Sequence, residues 1–209
     1  MPEMIRSTVL QLLEEHQGDS VPPIVQAGHP VLRVVSAPWD GQLEQGELEA
    51  LIELMRRTMH AAPGVGLAAP QLGIPLQLAV MEDLHPVSEE VRLTRERQEL
   101  PFFAVLNPSY QPLGAESVDF FEGCLSMSGW QAVVSRHRSV GLSFITPEGE
   151  SNYREFAGWQ ARIVQHETDH LAGTLYIDKA KTRSLSNNAE YAERWAQPTI
   201  DLARESLGF

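Results

Sequence analysis

The segment Gln165-His166-Glu167-Thr168-Asp169-His170 constrains this chain more than any other. It has the form H-E-x-x-H, two imidazoles four residues apart with a carboxylate beside the first. Four residues make slightly more than one helical turn, so on a helix both rings leave the same face, about 6 Å apart along the axis. That separation lets the two converge on one divalent metal at about 2.0–2.1 Å each. Glu167 then lies roughly 100° around the helix from His166 and roughly 60° from His170, placed to reach a water on the metal rather than the metal itself. The pattern is short, and its plain alternative is a surface helix that carries two histidines by chance.

A catalytic metal usually takes three protein ligands and keeps one position for water or substrate, so a third ligand must come from elsewhere. One metalloprotease pattern continues as H-E-x-x-H-x-x-G-x-x-H. This chain keeps the glycine, Gly173, but has Tyr176 where the third histidine would stand. Glu190 and Glu193 are further candidates, in the manner of sites that use a glutamate from a following helix. The upstream candidate is Cys124, within Phe121-Glu122-Gly123-Cys124-Leu125-Ser126. It is the only cysteine in 209 residues, so it has no disulfide partner within the chain. A lone cysteine is commonly an inert buried thiol. Here glycine and serine stand near it rather than a continuous apolar run.

Around these motifs the hydrophobic pattern outlines the elements. Ile5, Val9 and Leu12 recur at helical spacing, which predicts a short amphipathic helix over residues 3–16 ending near Gly18. Leu48, Leu51, Ile52, Met55 and Met59 form the stripe of a second helix that stops before Pro63-Gly64. Leu76 to Met81 reads as a buried strand, and the highly charged residues 83–100 as an exposed excursion. Phe102 to Asn107 and Val133 to Thr146 read as extended chain, the latter turning at Pro147-Glu148-Gly149. This order predicts a single α+β domain, antiparallel strands around a central metal-binding helix of about residues 158–172. On that helix Trp159 and Ile163 precede His166 by seven and three residues, on its own face. They serve ordinary packing or wall an apolar pocket beside the metal.

Gly64-x-Gly66-x-x-Ala69 formally matches a dinucleotide fingerprint, which needs a preceding strand and a helix opening on the glycines. A predicted helix precedes it and Pro70 interrupts the downstream segment, so no nucleotide site is expected. Glycine also permits close approach of another backbone. An extended peptide could therefore pair with residues 64–66 as an added strand. Taken alone, Gln71 reads as a solvent-facing turn residue.

Composition narrows the classes further. A formal charge of −12 argues against a general nucleic-acid-binding surface. Residues 1–20 hold Glu3, Glu14, Glu15 and Asp19 against Arg6 alone, which suits neither a secretory signal nor a basic transit peptide. No apolar run approaches the ~18 residues of a membrane span. With its single thiol, the chain is expected in a reducing cytoplasm.

Three segments together resemble the peptide deformylase family. Gly64-Val65-Gly66-Leu67-Ala68-Ala69-Pro70-Gln71 is similar to its first motif, Glu122-Gly123-Cys124-Leu125-Ser126 to its second and Gln165-His166-Glu167-Thr168-Asp169-His170 to its third, in the family's order. The resemblance implies removal of the formyl group from N-terminal N-formylmethionine of newly synthesised proteins, with release of formate. It implies Cys124, His166 and His170 as ligands of one divalent metal, natively Fe2+, which Zn2+, Ni2+ or Co2+ can replace. Glu167 would be the general base, and the Gln71 side chain with the Leu125 backbone N–H would face the developing oxyanion. Gly64, Val65, Gly66, Phe120, Glu122, Trp159 and Ile163 would bind substrate, several of them around the methionine side chain. The implied layout is an N-terminal helical extension at 1–22, a catalytic domain at 23–180 and a helical tail packed on it at 181–209. In residues 187–209, Glu190, Glu193, Asp201 and Glu205 face only Arg194 and Arg204, which argues against a lasting dock on ribosomal RNA. The expected partners are formylated nascent peptides, with transient ribosome contact at most, no membrane and no specific nucleic acid. Two rivals remain at this stage: a zinc peptidase with a histidine or glutamate as third ligand, and a closed structural metal site.

Overall fold

The computed structural model describes residues 2–209. Helix α1 (Pro2–Glu15) buries Ile5 and Val9 against α2 (Gln45–Ala61). At the start of α2 the Glu44 N–H donates to the Glu47 carboxylate at 2.8 Å, satisfying one of the free amides of the first turn. Arg6 donates to Glu44 and Glu47 at 2.6 and 2.8 Å and so ties the two helices together. The predicted stripe Leu48, Leu51, Ile52, Met55 and Met59 is buried. Burying each such side chain stabilises by about 1.5–3 kcal/mol.

Two antiparallel sheets follow. The larger has the order β1 (Gly66–Ala68), β2 (Leu78–Asp83), β3 (Leu100–Pro112), β6 (Ser139–Ile145) and β7 (Ser151–Ala157). The smaller joins β4 (Ser117–Gly123), β5 (Trp130–His137) and β8 (Ser186–Asn187). Strand β3 is longer than the predicted 102–107 because it bends at a bulge between Leu106 and Ser109. There Asn107 adopts φ 49°, and its side-chain amide donates to Trp39 O at 2.8 Å while accepting from Trp39 N at 2.6 Å. Asparagine tolerates that left-handed backbone because its short polar side chain bonds locally.

Helix α4 (Gly158–Leu171) lies between the sheets and packs on β1, β2, β3, β6 and β7 of one and on β5 of the other. Its Ala161, Ile163, Val164 and Leu171 fill the same core as Met81, Val105, Val140, Leu142 and Phe156. Gly158 opens the helix at φ 58°, and a β-carbon there would stand 2.6 Å from the Glu96 carbonyl oxygen. Only glycine fits that corner. The strands thus surround a central helix, as the element order predicts.

Three details differ from the sequence reading. The excursion 83–100 carries a short helix, α3 (Glu89–Thr94), capped by the Ser88 side chain. Residues 133–146 are not one run: the chain leaves the small sheet at His137 and enters the large one at Ser139. Strand β4, which carries the second motif to its end, has no counterpart in the expected elements. Its alternation is masked by Phe120-Phe121-Glu122, where a carboxylate is buried beside a phenyl ring.

Beyond β8 come α5 (Asn188–Glu190), a π-helical turn at Tyr191–Trp195 and α6 (Asp201–Leu207). Ile200 and Ala203 bury against Phe121 and Val133 of the small sheet.

Candidate metal centre

Cys124, His166 and His170 come together, with one ligand atom from each all lying within 4.8 Å of one another. Strand β4 delivers Cys124 immediately after Gly123, whose position is set by pairing with Gln131 on β5. Helix α4 presents both imidazoles on one face, their ring centroids 5.0 Å apart. The Cys124 sulfur is 3.3 Å from His170 Nε2 and accepts the Ser126 N–H at 3.4 Å. One sulfur and two imidazole nitrogens suit a divalent first-row metal such as iron, nickel, cobalt or zinc, so the residues present fit the expected ion. The two glutamate candidates are elsewhere, and Tyr176, which stands where the metalloprotease pattern has its third histidine, is not among the clustered ligand atoms. Tyr176 is buried, stacks its ring on His166 at 6.2 Å and donates its hydroxyl to Trp130 O. Glu190 and Glu193 sit at the surface beside Arg194.

Behind the ligands lies a buried ion network. Glu122 accepts two hydrogen bonds from Arg136, both 2.9 Å, and one from Arg162 at 2.6 Å. Its other role is to hold His166: Nδ1 lies 2.9 Å from the Glu122 carboxylate. Such a partner fixes the ring's orientation and tautomer and leaves Nε2 for the metal. Arg136 also bonds Asp169, which takes further hydrogen bonds from Tyr110 at 3.1 Å and Lys179 at 2.6 Å. Burial disfavours charge on His166, yet the Cys124 sulfur and the Glu122 carboxylate hold its pKa well above the usual value. Burial, reinforced by His166, holds His170 well below it. Negative groups around His166 make this a spot that favours positive charge.

Glu167 is not among the clustered ligand atoms. It is buried, Oε2 has no hydrogen-bond partner among the described residues, and burial pushes its pKa up to about 7, with His166 opposing the rise. A carboxylate so placed can accept a proton near neutral pH. Room for it comes from Gly66, where a β-carbon would stand 2.3 Å from Glu167 Oε1. The glycine therefore admits this side chain, where the sequence suggested only an approaching backbone.

Gln71 is buried rather than solvent-facing. Its Oε1 accepts the Ala68 N–H at 2.8 Å, which turns Nε2 toward Ser126 Oγ at 3.2 Å and the Cys124 sulfur at 3.7 Å. The amide N–H groups thus point at the centre.

A cavity of about 590 Å³ opens beside these groups. Gly64, Val65 and Gly66 line one side, next to the edge strand β1, and Trp159 and Ile163 line another from α4. Leu125 and Glu122 also border it, although the Glu122 carboxylate is spent on Arg136, Arg162 and His166. Phe120 does not belong to the lining: it sits edge-on behind Trp159 at 6.2 Å, and its neighbour Phe121 borders the cavity instead. Adjacent residues of a strand face opposite ways, so a shift of one position exchanges them. Sequence reasoning also missed Arg136, Arg162, Asn188 and Tyr191. Arg162 alone left a signal, a charged residue four before His166 on a helix whose same face is otherwise apolar.

The polypeptide deformylase family model matches residues 21–186. Peptide deformylase 1 of Streptomyces coelicolor is 57% identical over 187 residues, 90% of this chain and 86% of that protein. The mitochondrial peptide deformylase of Homo sapiens is 38% identical over 194 residues, 89% of this chain and 80% of that protein. Among solved structures, a class I type b peptide deformylase from Acinetobacter baumannii with Met-Ala-Ser bound superposes with a TM-score of 0.70 at 30% identity, covering 78% of this chain and 99% of that one. With most of its length matched and the motif residues assembled in one centre, the chain belongs to the polypeptide deformylase family.

Proposed function

We propose that the chain hydrolyses the formyl amide of N-formylmethionyl nascent peptides, releasing formate, with Cys124, His166 and His170 holding the metal. The observation that carries this reading is the cluster of those three ligand atoms within 4.8 Å, bordered by a Glu167 oxygen with no hydrogen-bond partner among the described residues and by an open cavity. A closed structural site would need no such cavity and would be completed by four ligands. When bound, a divalent ion supplies Lewis acidity that lowers the pKa of water and polarises the formyl oxygen.

The chain's own residues do the rest. Glu167 takes the proton of the attacking water and returns it to the departing amine. Gln71 Nε2, fixed by its own carbonyl on Ala68, donates to the oxygen on which charge develops, together with the Leu125 N–H. The edge of the larger sheet at residues 64–66, where the chain enters β1, hydrogen-bonds the peptide as an added strand. Trp159 and Ile163 hold the methionine side chain. Residues 1–22 act as a helical extension of the catalytic domain at 23–180, and 181–209 as its tail.

Ferrous iron is the proposed native ion. It binds more weakly than nickel in the usual affinity order, so it is open to exchange during preparation in air. Among the described residues no helix is long and apolar enough to cross a membrane. Action in the cytoplasm on nascent chains, with only brief ribosome contact, accords with the acidic tail. The test is formate release from a formyl-Met peptide by protein loaded separately with each metal. Absence of formate with every metal would overturn the assignment.

A further inference from the structure

Upstream of all three motifs, residues 24–27 run against two of them at once. The Val25 N–H donates to Gln71 O at 2.8 Å, and the Ala27 N–H donates to Ser126 O at 2.6 Å. Between these backbone ties lies Gln26, whose carboxamide bridges the turn that follows Cys124. Its Nε2 donates to Leu125 O at 3.0 Å and to Ile24 O at 3.0 Å, and its Oε1 accepts the Ser128 N–H at 3.2 Å. Leu125 O and Ser126 N belong to one planar peptide unit. Gln26 holds the oxygen end of that unit, while at the other end the Ser126 N–H donates to the Cys124 sulfur at 3.4 Å. Ser126 is fully buried, and its hydroxyl accepts from Gln71 Nε2 at 3.2 Å. Gln26 itself is exposed and does not line the cavity.

We propose that Gln26 is a positioning residue of the metal centre: by fixing the plane of the Leu125–Ser126 peptide it aims the Ser126 N–H at the Cys124 sulfur and steadies the turn that carries the Leu125 N–H. Its kinetic consequence rests on the deformylase reading above. A rigid peptide plane cannot turn one end without the other, so freeing the Leu125 carbonyl also frees the Ser126 N–H. That N–H draws charge from a thiolate through a charge-assisted hydrogen bond, and the sulfur then donates less to a bound ion. The Leu125 N–H lies one peptide earlier in the same turn and shifts with it. Because an exposed hydrogen bond adds little net stability, losing Gln26 alters the aim of these groups more than the fold.

The experiment compares the full chain loaded with cobalt as wild type, Gln26→Glu and Gln26→Leu. Glutamate keeps an acceptor for the Ser128 N–H but has no N–H for Leu125 O, and leucine removes both ends of the bridge. The sulfur-to-cobalt charge-transfer band, read without substrate, should move to longer wavelength in both variants, because a thiolate that loses its N–H donor holds its electrons less tightly. On formyl-Met-Ala-Ser, kcat should fall about tenfold, the lower end of what outer partners of metal ligands contribute, with KM within about twofold of wild type. Metal content and thermal midpoint should stay near those of wild type. An unmoved band with kcat within about twofold in both variants overturns the proposal. So does a rise in KM alone, which would make Gln26 a substrate contact, or a loss of kcat that only tracks lost metal or a lowered midpoint. A wild type inactive on formyl-Met with every metal overturns the deformylase reading instead, and the band comparison still decides the role of Gln26.

Discussion

Replacing Gly66 by alanine adds one methyl where the structure leaves it nowhere to go. The new carbon would stand 2.3, 2.5 and 2.6 Å from Oε1, Cδ and Cγ of Glu167, where real contacts do not fall below 3.0 Å. The carboxylate must therefore retreat by roughly 0.7 Å or leave its rotamer. A displaced rotamer costs about 0.5–1.5 kcal/mol. Against that, Gly66 has no left-handed φ, so alanine restricts the unfolded chain and returns about 0.4–1 kcal/mol. The two nearly cancel, and the thermal midpoint should barely move. Activity has no such compensation: misplacing a catalytic group by about 1 Å can cost roughly 10²-fold. The expected result is folded, metal-replete protein whose kcat for formate release has fallen by about that factor.

A double-mutant cycle with Glu167→Asp sharpens this test. Aspartate is one methylene shorter and withdraws from the added methyl, so Gly66→Ala should cost little in that background. Neighbouring residues that clash are expected to be non-additive. An equal loss in both backgrounds would place the methyl against substrate rather than Glu167. A kcat within about twofold of wild type would refute the steric argument outright.

Glu167→Ala should retain its metal, measured by elemental analysis, while kcat falls roughly 10²–10⁴-fold, because the side chain is a base outside the ligand cluster. Metal lost in step with activity would show it to be a ligand. Gln71→Leu should lower kcat more than it raises KM, since the charge it meets exists chiefly in the transition state. A rise in KM alone would make Gln71 a ground-state contact. Away from the centre, hydrogen bonding to Arg56, aided by His60 and opposed by burial, holds the Glu82 carboxyl below its usual range. A depressed folded pKa gives stability that is present above the unfolded value and lost as pH falls through the folded one. Thermal midpoints measured from neutral pH downward should thus fall less steeply for Glu82→Gln than for wild type, and parallel curves would contradict the pairing.

Much of this site was legible because its chemistry is periodic. The four-residue spacing of His166 and His170 needs only a helix to bring two rings onto one face, and the apolar stripe of α2 needs only burial. Cys124 stood out by being the single cysteine, though no spacing rule joins it to His166, since β4 and α4 meet only through the fold. What stayed hidden are residues whose role depends on long-range pairing. Arg136 lies 14 positions from Glu122 and Arg162 lies 40, yet all three share one buried cluster. As isolated letters the two arginines read as surface charge.

That cluster also explains why a carboxylate can be buried next to an apolar pocket at all. Two guanidiniums and an imidazole occupy the Glu122 oxygens, so its charge is met where water is absent. Removing one partner of such a network leaves a charge unmatched and typically costs about 3–5 kcal/mol. The arrangement has a functional side, because the same carboxylate fixes the ring of His166. The ligand is held by a group that is in turn held by β5 through Arg136 and by α4 through Arg162, which donates also to Val134 O and Val118 O. Rigid support of this kind is what lets a ligand triad and an adjacent base keep their geometry beside an open cavity.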